Sequence, residues 1–439
     1  MRARSTLVLA ALLAAAAPAR GQAPAATAPL LAPLDALAGE LDALYVDLHR
    51  TPELSFREER TAARMAARLA ALGFDVTTGV GGTGVVGVLG NGPGPTVMLR
   101  TDLDGLPVQE RTGLLFASRA TAVDPAGATV GVMHACGHDL HMTAWVGAAT
   151  LLSRGRDRWS GTLVMVGQPA EERGSGARAM LADGLFTRFP RPDFALALHA
   201  MPSLPAGSVG IGEGPVLASV DSVDVTIHGR GGHGAMPHQT VDPIVIAART
   251  VLALQTIVSR ERSPFDPVVV TVGSFHAGTK HNVVPDEARL QLTVRAYSPA
   301  TREKVLASIE RIVRAEAEAS AAPRPPEVKV SEPVPATVND AALARRVRES
   351  VARALPDGAL RGQEPVTAAE DFAEYGRAGV PSVMFWLGSA PPALLEASER
   401  GGPRVPPLHS AEFAPDRVPA TRAGVTALVA AALDLLGRR

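Results

Sequence analysis

Three apolar runs in this chain end in side chains that bind cations or protons, and no other feature constrains the fold as strongly. Residues 96–100 lead into Asp102-Leu103-Asp104. Residues 162–166 lead into Gln168-Pro169-Ala170-Glu171-Glu172, and residues 194–198 end at His199. Short, continuous apolar runs of this kind are strands covered on both faces. Helix-period segments at 141–152 and 177–185 alternate with them. Such alternation predicts an α/β sheet with helices on its faces. In open α/β sheets, sites form beyond the carboxyl ends of the strands. A single polar strand end is an ordinary solvated loop. Three such ends beside a histidine-rich stretch point instead to a site.

That stretch is His134-Ala135-Cys136-Gly137-His138-Asp139-Leu140-His141, and it holds the only cysteine in the chain. Thiolate, imidazole and carboxylate are the ligands preferred by borderline-soft divalent metals, zinc above all. A lone cysteine has no internal disulfide partner and is free to act as a ligand. Two other readings stay open: a buried structural thiol and a redox-sensing cysteine. A Cys-x-His pair does not make a metal site without ligands from elsewhere. Glu171, Glu172, His199 and, in a proline-rich loop, His409 are on offer.

A chain of 439 residues predicts two or three domains, and 46% hydrophobic residues suffice for sizeable cores. A net charge of −1 gives no electrostatic case for nucleic acid or an acidic membrane. Residues 1–23 read as a signal peptide: Arg2 and Arg4, an apolar run at 7–17, then small residues. The protein is then exported, periplasmic or secreted. The run is too short to span a bilayer, and no later segment reads as a span, so no stable membrane anchor is expected. Residues 24–33 read as a linker. Residues 34–218 form the first part of a catalytic domain, opened by leucines at helical spacing from Leu34 to Leu48. Residues 219–330 read β-α-β-β-α-β, the ferredoxin-like order, and form an inserted domain. Residues 331–439 return to the first domain, with a helix at 341–355, a strand at 382–387 and a helix at 420–436.

Several stretches, in this order, resemble the aminoacylase/carboxypeptidase family of metallohydrolases. They are Arg100-Thr101-Asp102-Leu103-Asp104, the Cys136 stretch, Gln168-Pro169-Ala170-Glu171-Glu172, Ala197-Leu198-His199, Gly231-Gly232-His233, Asn282-Val283-Val284-Pro285-Asp286 and Leu408-His409-Ser410. Within that family the match is to the amidohydrolase branch of hippurate and auxin-conjugate hydrolases. The resemblance implies a metallopeptidase-like catalytic domain with a mixed sheet, and an inserted lid domain that makes a homodimer. It implies two divalent metal ions, with zinc expected and manganese, cobalt or nickel as alternatives. The metal ligands would be Cys136, His138, Glu172, His199 and His409. Glu171 would be the general base and Asp104 would orient a ligand. Asp102 stands where related branches place a ligand, so its role is open. His233 would stabilise the oxyanion in the active site of the partner subunit, and Asn282 and Arg295 would grip a substrate carboxylate. Arg295 as a plain strand arginine is an equal alternative.

The expected activity is hydrolysis of an N-acyl amino acid or a short peptide. Two metals sharing a water lower its pKa, and a free carboxylate beside them moves the proton. The competing class is a non-catalytic binding protein on the same scaffold.

Overall fold

The computed structural model describes residues 27–438, so the segment read as a signal peptide lies outside the described residues. The described residues open with α1 (Thr27–Leu31) and α2 (Leu34–Arg50). The stretch 24–33, expected to be a linker, is therefore partly helical. Leu30 anchors it: the side chain is 5% exposed and lies in the main core. α2 buries Leu34, Leu37, Leu41, Leu44 and Leu48, the helix-spaced leucines. Next come α3 (Glu59–Ala71), β1 (Asp75–Val80), β2 (Gly84–Gly90) and β3 (Thr96–Asp102). α4 (His138–Arg154), β4 (Thr162–Gln168), α5 (Gly176–Ala182), β5 (Phe194–Pro205) and β6 (Val209–Gly210) follow.

The middle of the chain runs β7 (Val220–His228), α6 (Pro243–Arg260), β8 (Val268–Ala277), β9 (Glu287–Ala296), α7 (Pro299–Ala319) and β10 (Glu327–Val334). It closes with α8 (Ala341–Ala354), β11 (Leu360–Arg361), β12 (Ser382–Ala390) and α9 (Arg417–Leu435).

The large sheet has eight strands in the order β1-β2-β4-β3-β5-β12-β6-β11. β4, β3, β5 and β12 are mutually parallel, and the flanking β1 and β2 are antiparallel. Side chains alternate between two cores, as the pleat requires. Val97, Leu99, Leu196 and Leu198 face α2, α4 and α9, while Met98, Ala195 and Ala197 face the opposite layer with α5 and Phe372. Register sets Asp102 beside Gln168 and His199 beside Trp386. The polar strand ends therefore meet along one edge.

α4 is buried on every side from His138 to Leu152 because α2 and α9 cover it against the sheet. α9 is in the same position. By length and composition, α9 and α6 are both apolar enough to cross a membrane, which corrects the expectation that no later segment qualifies. The α9 window is 78% buried inside the protein and that of α6 is 33% buried. Neighbours on all sides make α9 apolar all round.

Residues of β7 to β10 form a separate antiparallel sheet in the order β8-β9-β7-β10, with α6 and α7 packed over its inner face. Val223, Val225 and Ile227 alternate into a core of their own. α6, α7 and α8 each begin at a capping residue: Asp242, Ser298 and Asp340 accept from the first-turn amides. The two sheets are joined through residues 217–220 and 334–337, where Gly214–Leu217 pairs with Thr337–Asn339.

Candidate metal centre

β3 and β4 deliver the site at their carboxyl ends: β3 brings Asp102 and then Asp104, and β4 brings Glu171 and Glu172. The run expected to end at His199 continues instead to Pro205, so β5 carries His199 within the strand, paired beside Trp386 of β12. α4 starts at His138 behind Gly137, whose φ is 83°. That left-handed turn lets Cys136 and His138 serve one hollow, and an added Cβ would sit 3.1 Å from Ala200 Cβ. Gly176 lets the Glu171–Glu172 loop fold back, since a Cβ there would lie 1.6 Å from the Pro169 carbonyl oxygen. His409 arrives from the far end of the chain with φ 65°, held by its N–H donating to Ala135 O at 2.8 Å.

These side chains converge. Ligand atoms of Cys136, His138 and His199 lie within 4.8 Å of one another, as do those of Cys136, Glu172 and His409. The sulfur belongs to both groups. Cys136 Sγ is 3.5 Å from His199 Nε2, and His409 Nε2 is 3.5 Å from Glu172 Oε2. His138 Nε2 is 3.7 Å from Glu171 and 3.8 Å from Glu172.

The surroundings orient the donors. His138 Nδ1 donates to Asp104 O at 2.7 Å, with the Asp104 carboxylate at 3.4 Å, which leaves the Nε2 lone pair facing the hollow. His199 Nδ1 donates to Ala200 O at 2.9 Å in the same manner. The Asp104 carboxylate also accepts from the amides of Glu171 at 3.2 Å and Glu172 at 3.1 Å, so it touches both the ligand histidine and the glutamate loop. Asp102, whose role was open, accepts from His141 Nδ1 at 2.7 Å and from Arg100 at 2.8 Å. His141 Nε2 accepts from Ala200 N at 2.8 Å, so both its nitrogens are spent inside the protein. His134 is buried, and burial holds its imidazole down at about 4, in the neutral form.

The electrostatics call for cations. Burial pushes the Cys136 thiol well above its usual range, and the nearby Glu172 and Glu171 add to it. Burial also raises Glu172 to about 8 and Glu171 well above the carboxylate range, the latter with help from Glu370. Bound cations invert this logic and hold thiol and carboxylate deprotonated. Buried His138 Nε2 and Glu172 Oε1 have no hydrogen-bond partner. Buried groups are nearly always paired, and a cation is the partner that satisfies two acceptors at once. The S, N and O donors fit borderline-soft divalent metals.

Sequence reasoning missed the layer beneath. Glu171, Glu370 and Asp371 have carboxylate oxygens within 4.8 Å of one another. Arg100, fully buried, binds Glu370 at 2.8 Å, Asp371 at 3.3 Å, Asp102 at 2.8 Å and Gln168 at 3.0 Å. The available signal was the adjacent pair Glu370-Asp371 in an apolar setting, and an arginine inside a buried-type strand.

The donors open into a cleft of about 690 Å³ whose walls include Met201, Trp386, Leu408 and, from β9, Arg295. His233 and Asn282 stand apart from it. Both are exposed, on the ribbon that pairs Gly232–His233 with Val283–Val284, and neither lines the cleft of its own chain. The expectation for His233 concerns the active site of a partner subunit, and Asn282, expected to grip a substrate carboxylate, does not line the cleft of its own chain.

Residues 98–398 match the family described as Peptidase family M20/M25/M40. The chain is 36% identical over 375 residues to thermostable carboxypeptidase 2 of Saccharolobus solfataricus, covering 84% of this chain and 88% of the relative. It is 37% identical over 342 residues to hippurate hydrolase of Campylobacter jejuni, covering 76% and 85%. The fold is similar to a solved dinuclear metal-binding peptidase of the M20 family from Bacillus subtilis, with TM-score 0.74, 30% identity and 91% of this chain against 98% of that one. With a sulfur shared between two donor groups and orphan acceptors facing it, this chain belongs to peptidase family M20/M25/M40 and is a metal-dependent hydrolase.

Proposed function

We propose that the protein hydrolyses the amide bond of N-acyl amino acids, releasing a carboxylic acid and a free amino acid. The observation that carries this reading is Cys136 Sγ in both donor groups, with the Glu171 carboxyl beside them. A pair of divalent cations, zinc first among the candidates, would supply an electrophile for the carbonyl oxygen and acidify a water. Cys136, His138, Glu172, His199 and His409 would hold them. Glu171 takes the proton of the attacking water as the C–O bond forms. It returns that proton to the nitrogen as the C–N bond breaks. Asp104 positions both sides of this arrangement through His138 and the Glu171 amide. Arg295, across the cleft, pairs with the substrate carboxylate. Met201 and Trp386 offer apolar surface to the acyl group.

Replacing Glu171 with Gln is expected to cut turnover by about 10²–10⁴-fold with metal content unchanged. The measurement is a panel of N-acyl amino acids and dipeptides assayed with metal-stripped and metal-restored enzyme. A wild-type enzyme inert to the whole panel would favour the non-catalytic binding reading. Preference for dipeptides would favour a carboxypeptidase, as the Saccharolobus relative is named.

The proposal includes a homodimer made through the second sheet and α6. Val245 is 54% exposed and Leu252 72% exposed on the outer side of that helix, which supports a covered face. In such a dimer His233, exposed and with Nδ1 accepting from Ala235 N at 3.0 Å, would offer its other nitrogen to the neighbouring cleft. Leu252→Glu is expected to yield a monomer in sedimentation. Export is also proposed, supported by Arg2, Arg4 and the apolar run after them. N-terminal sequencing of protein from the periplasm tests it.

A further inference from the structure

A second cavity, of about 680 Å³, lies on the joint between the two sheets and adjoins the cleft over the metal centre, sharing Val334 with it while holding none of the metal-site donors. Its walls come from three sources. The start of α7 gives Pro299 and Arg302, the connecting segments give Ser219 and Ala336, and residues 372–382 of the large unit give Phe372 and Arg377. The volume is that of a small-molecule pocket, whose usual range is about 300–1,000 Å³. None of its lining residues takes part in the chemistry proposed above.

The polar groups in it have unspent capacity. Ser219 is 2% exposed, and its buried hydroxyl has no hydrogen-bond partner. Arg302 spends Nε and Nη2 on Asp221, at 2.8 and 2.5 Å, which leaves Nη1 outside the pair. Arg377 donates through Nη2 to Glu374 at 2.5 Å, and Arg178 lies 3.9 Å from the same carboxylate. Two guanidinium groups thus share one carboxylate. The acid on the wall, Asp340, is committed to the Leu343 amide at the start of α8, at 2.8 Å. Cationic donors and an orphan hydroxyl above Phe372, Val380 and Pro299 match a molecule with an anionic head and an apolar body.

We propose that this joint cavity is a binding site for a small amphiphilic carboxylate, an aliphatic or aryl acid. Its head would lie between Arg302, Arg377 and Ser219, and its body on Phe372 and Val380. The occupant would touch both units and their connections at once. The site stands independently of the catalytic reading.

The test is calorimetric titration of octanoate into the metal-loaded full-length protein and three variants. One octanoate per chain is expected to bind the wild type. Ala336→Trp, which fills the cavity, is expected to abolish that event. Arg377→Gln, a change at an exposed guanidinium, should weaken it about tenfold. Arg295→Gln, in the other cleft, should leave it intact. Loss of binding in Arg295→Gln with retention in Ala336→Trp or Arg377→Gln would overturn the proposal. So would the absence of any binding to the wild type. Turnover is read separately, on the panel of N-acyl amino acids and dipeptides, so an enzyme that binds octanoate at the joint and hydrolyses nothing would sink the catalytic reading alone.

Discussion

Cys136 sits in both donor groups, so its loss should differ in kind from the loss of a ligand that serves one. Cys136→Ala is expected to lower the content of both metal ions, and His409→Ala to lower one, as read by elemental analysis. Equal effects would contradict a shared sulfur. Arg100 poses a different problem. It is enclosed by Glu370, Asp102 and Asp371, and these carboxylates raise its pKa against the opposing effect of burial. Arg100→Met would strand them, and breaking a buried charge network costs about 3–5 kcal/mol. Chemical denaturation measures the loss. His49 adds a titration. Its nitrogens lie 2.6 Å from Asp139 and 3.1 Å from Glu110. Burial lowers its pKa, but those two hydrogen bonds outweigh it and raise the imidazolium from 6.5 to about 9. Folding therefore takes up a proton there. The stability from this group is complete below pH 6.5 and is lost as pH rises through about 9. It is worth on the order of 3 kcal/mol. His49→Gln should flatten that alkaline slope in unfolding midpoints, and an unchanged slope would reject the assignment.

At the scale of elements, the site depends on how the chain turns at strand ends. Gly137, Ala170 and His409 all have left-handed backbones, with φ of 83°, 49° and 65°. Non-glycine residues in that region carry about 1–3 kcal/mol of strain, which persists only where the surroundings enforce it. At His409 the Ala135 carbonyl does so. Gly137→Ala would add both the backbone penalty and the contact with Ala200. It is expected to cost about 1–2 kcal/mol and to weaken metal binding, measured by denaturation and chelator competition. The strand and helix sequence was largely legible, since burial periodicity is local. Periodicity marks α4 from 141, whereas the helix begins at His138, because tertiary cover on every side erases the stripe that marks a helix. The linker at 24–33 misled for a similar reason: nothing local announces that Leu30 has a pocket waiting in the folded core.

For the whole molecule, metal and proton compete for one interior. Burial is the main cause that raises the Cys136 thiol, and it raises the Glu172 carboxyl up to about 8, so both favour a bound proton over the bare charge. Metal binding must release those protons, so apparent affinity should rise with pH and fall on acidification. Competition with a chelator across neutral pH checks the sign, and a flat profile would contradict it. By itself, the chain's sequence determined that apolar strands end in ligand-type residues and that one cysteine lies among histidines. Periodicity and residue chemistry are local, so they survive without coordinates. Only the tertiary structure decided which donors share a centre. It spent both nitrogens of His141 on Asp102 and the Ala200 amide, and left His138 Nε2 open to the hollow. It set Arg100, Glu370 and Asp371 beneath Glu171, and kept His233 off the cleft of its own chain. Those outcomes turn on distances between residues far apart in the chain, which packing sets and spacing does not encode.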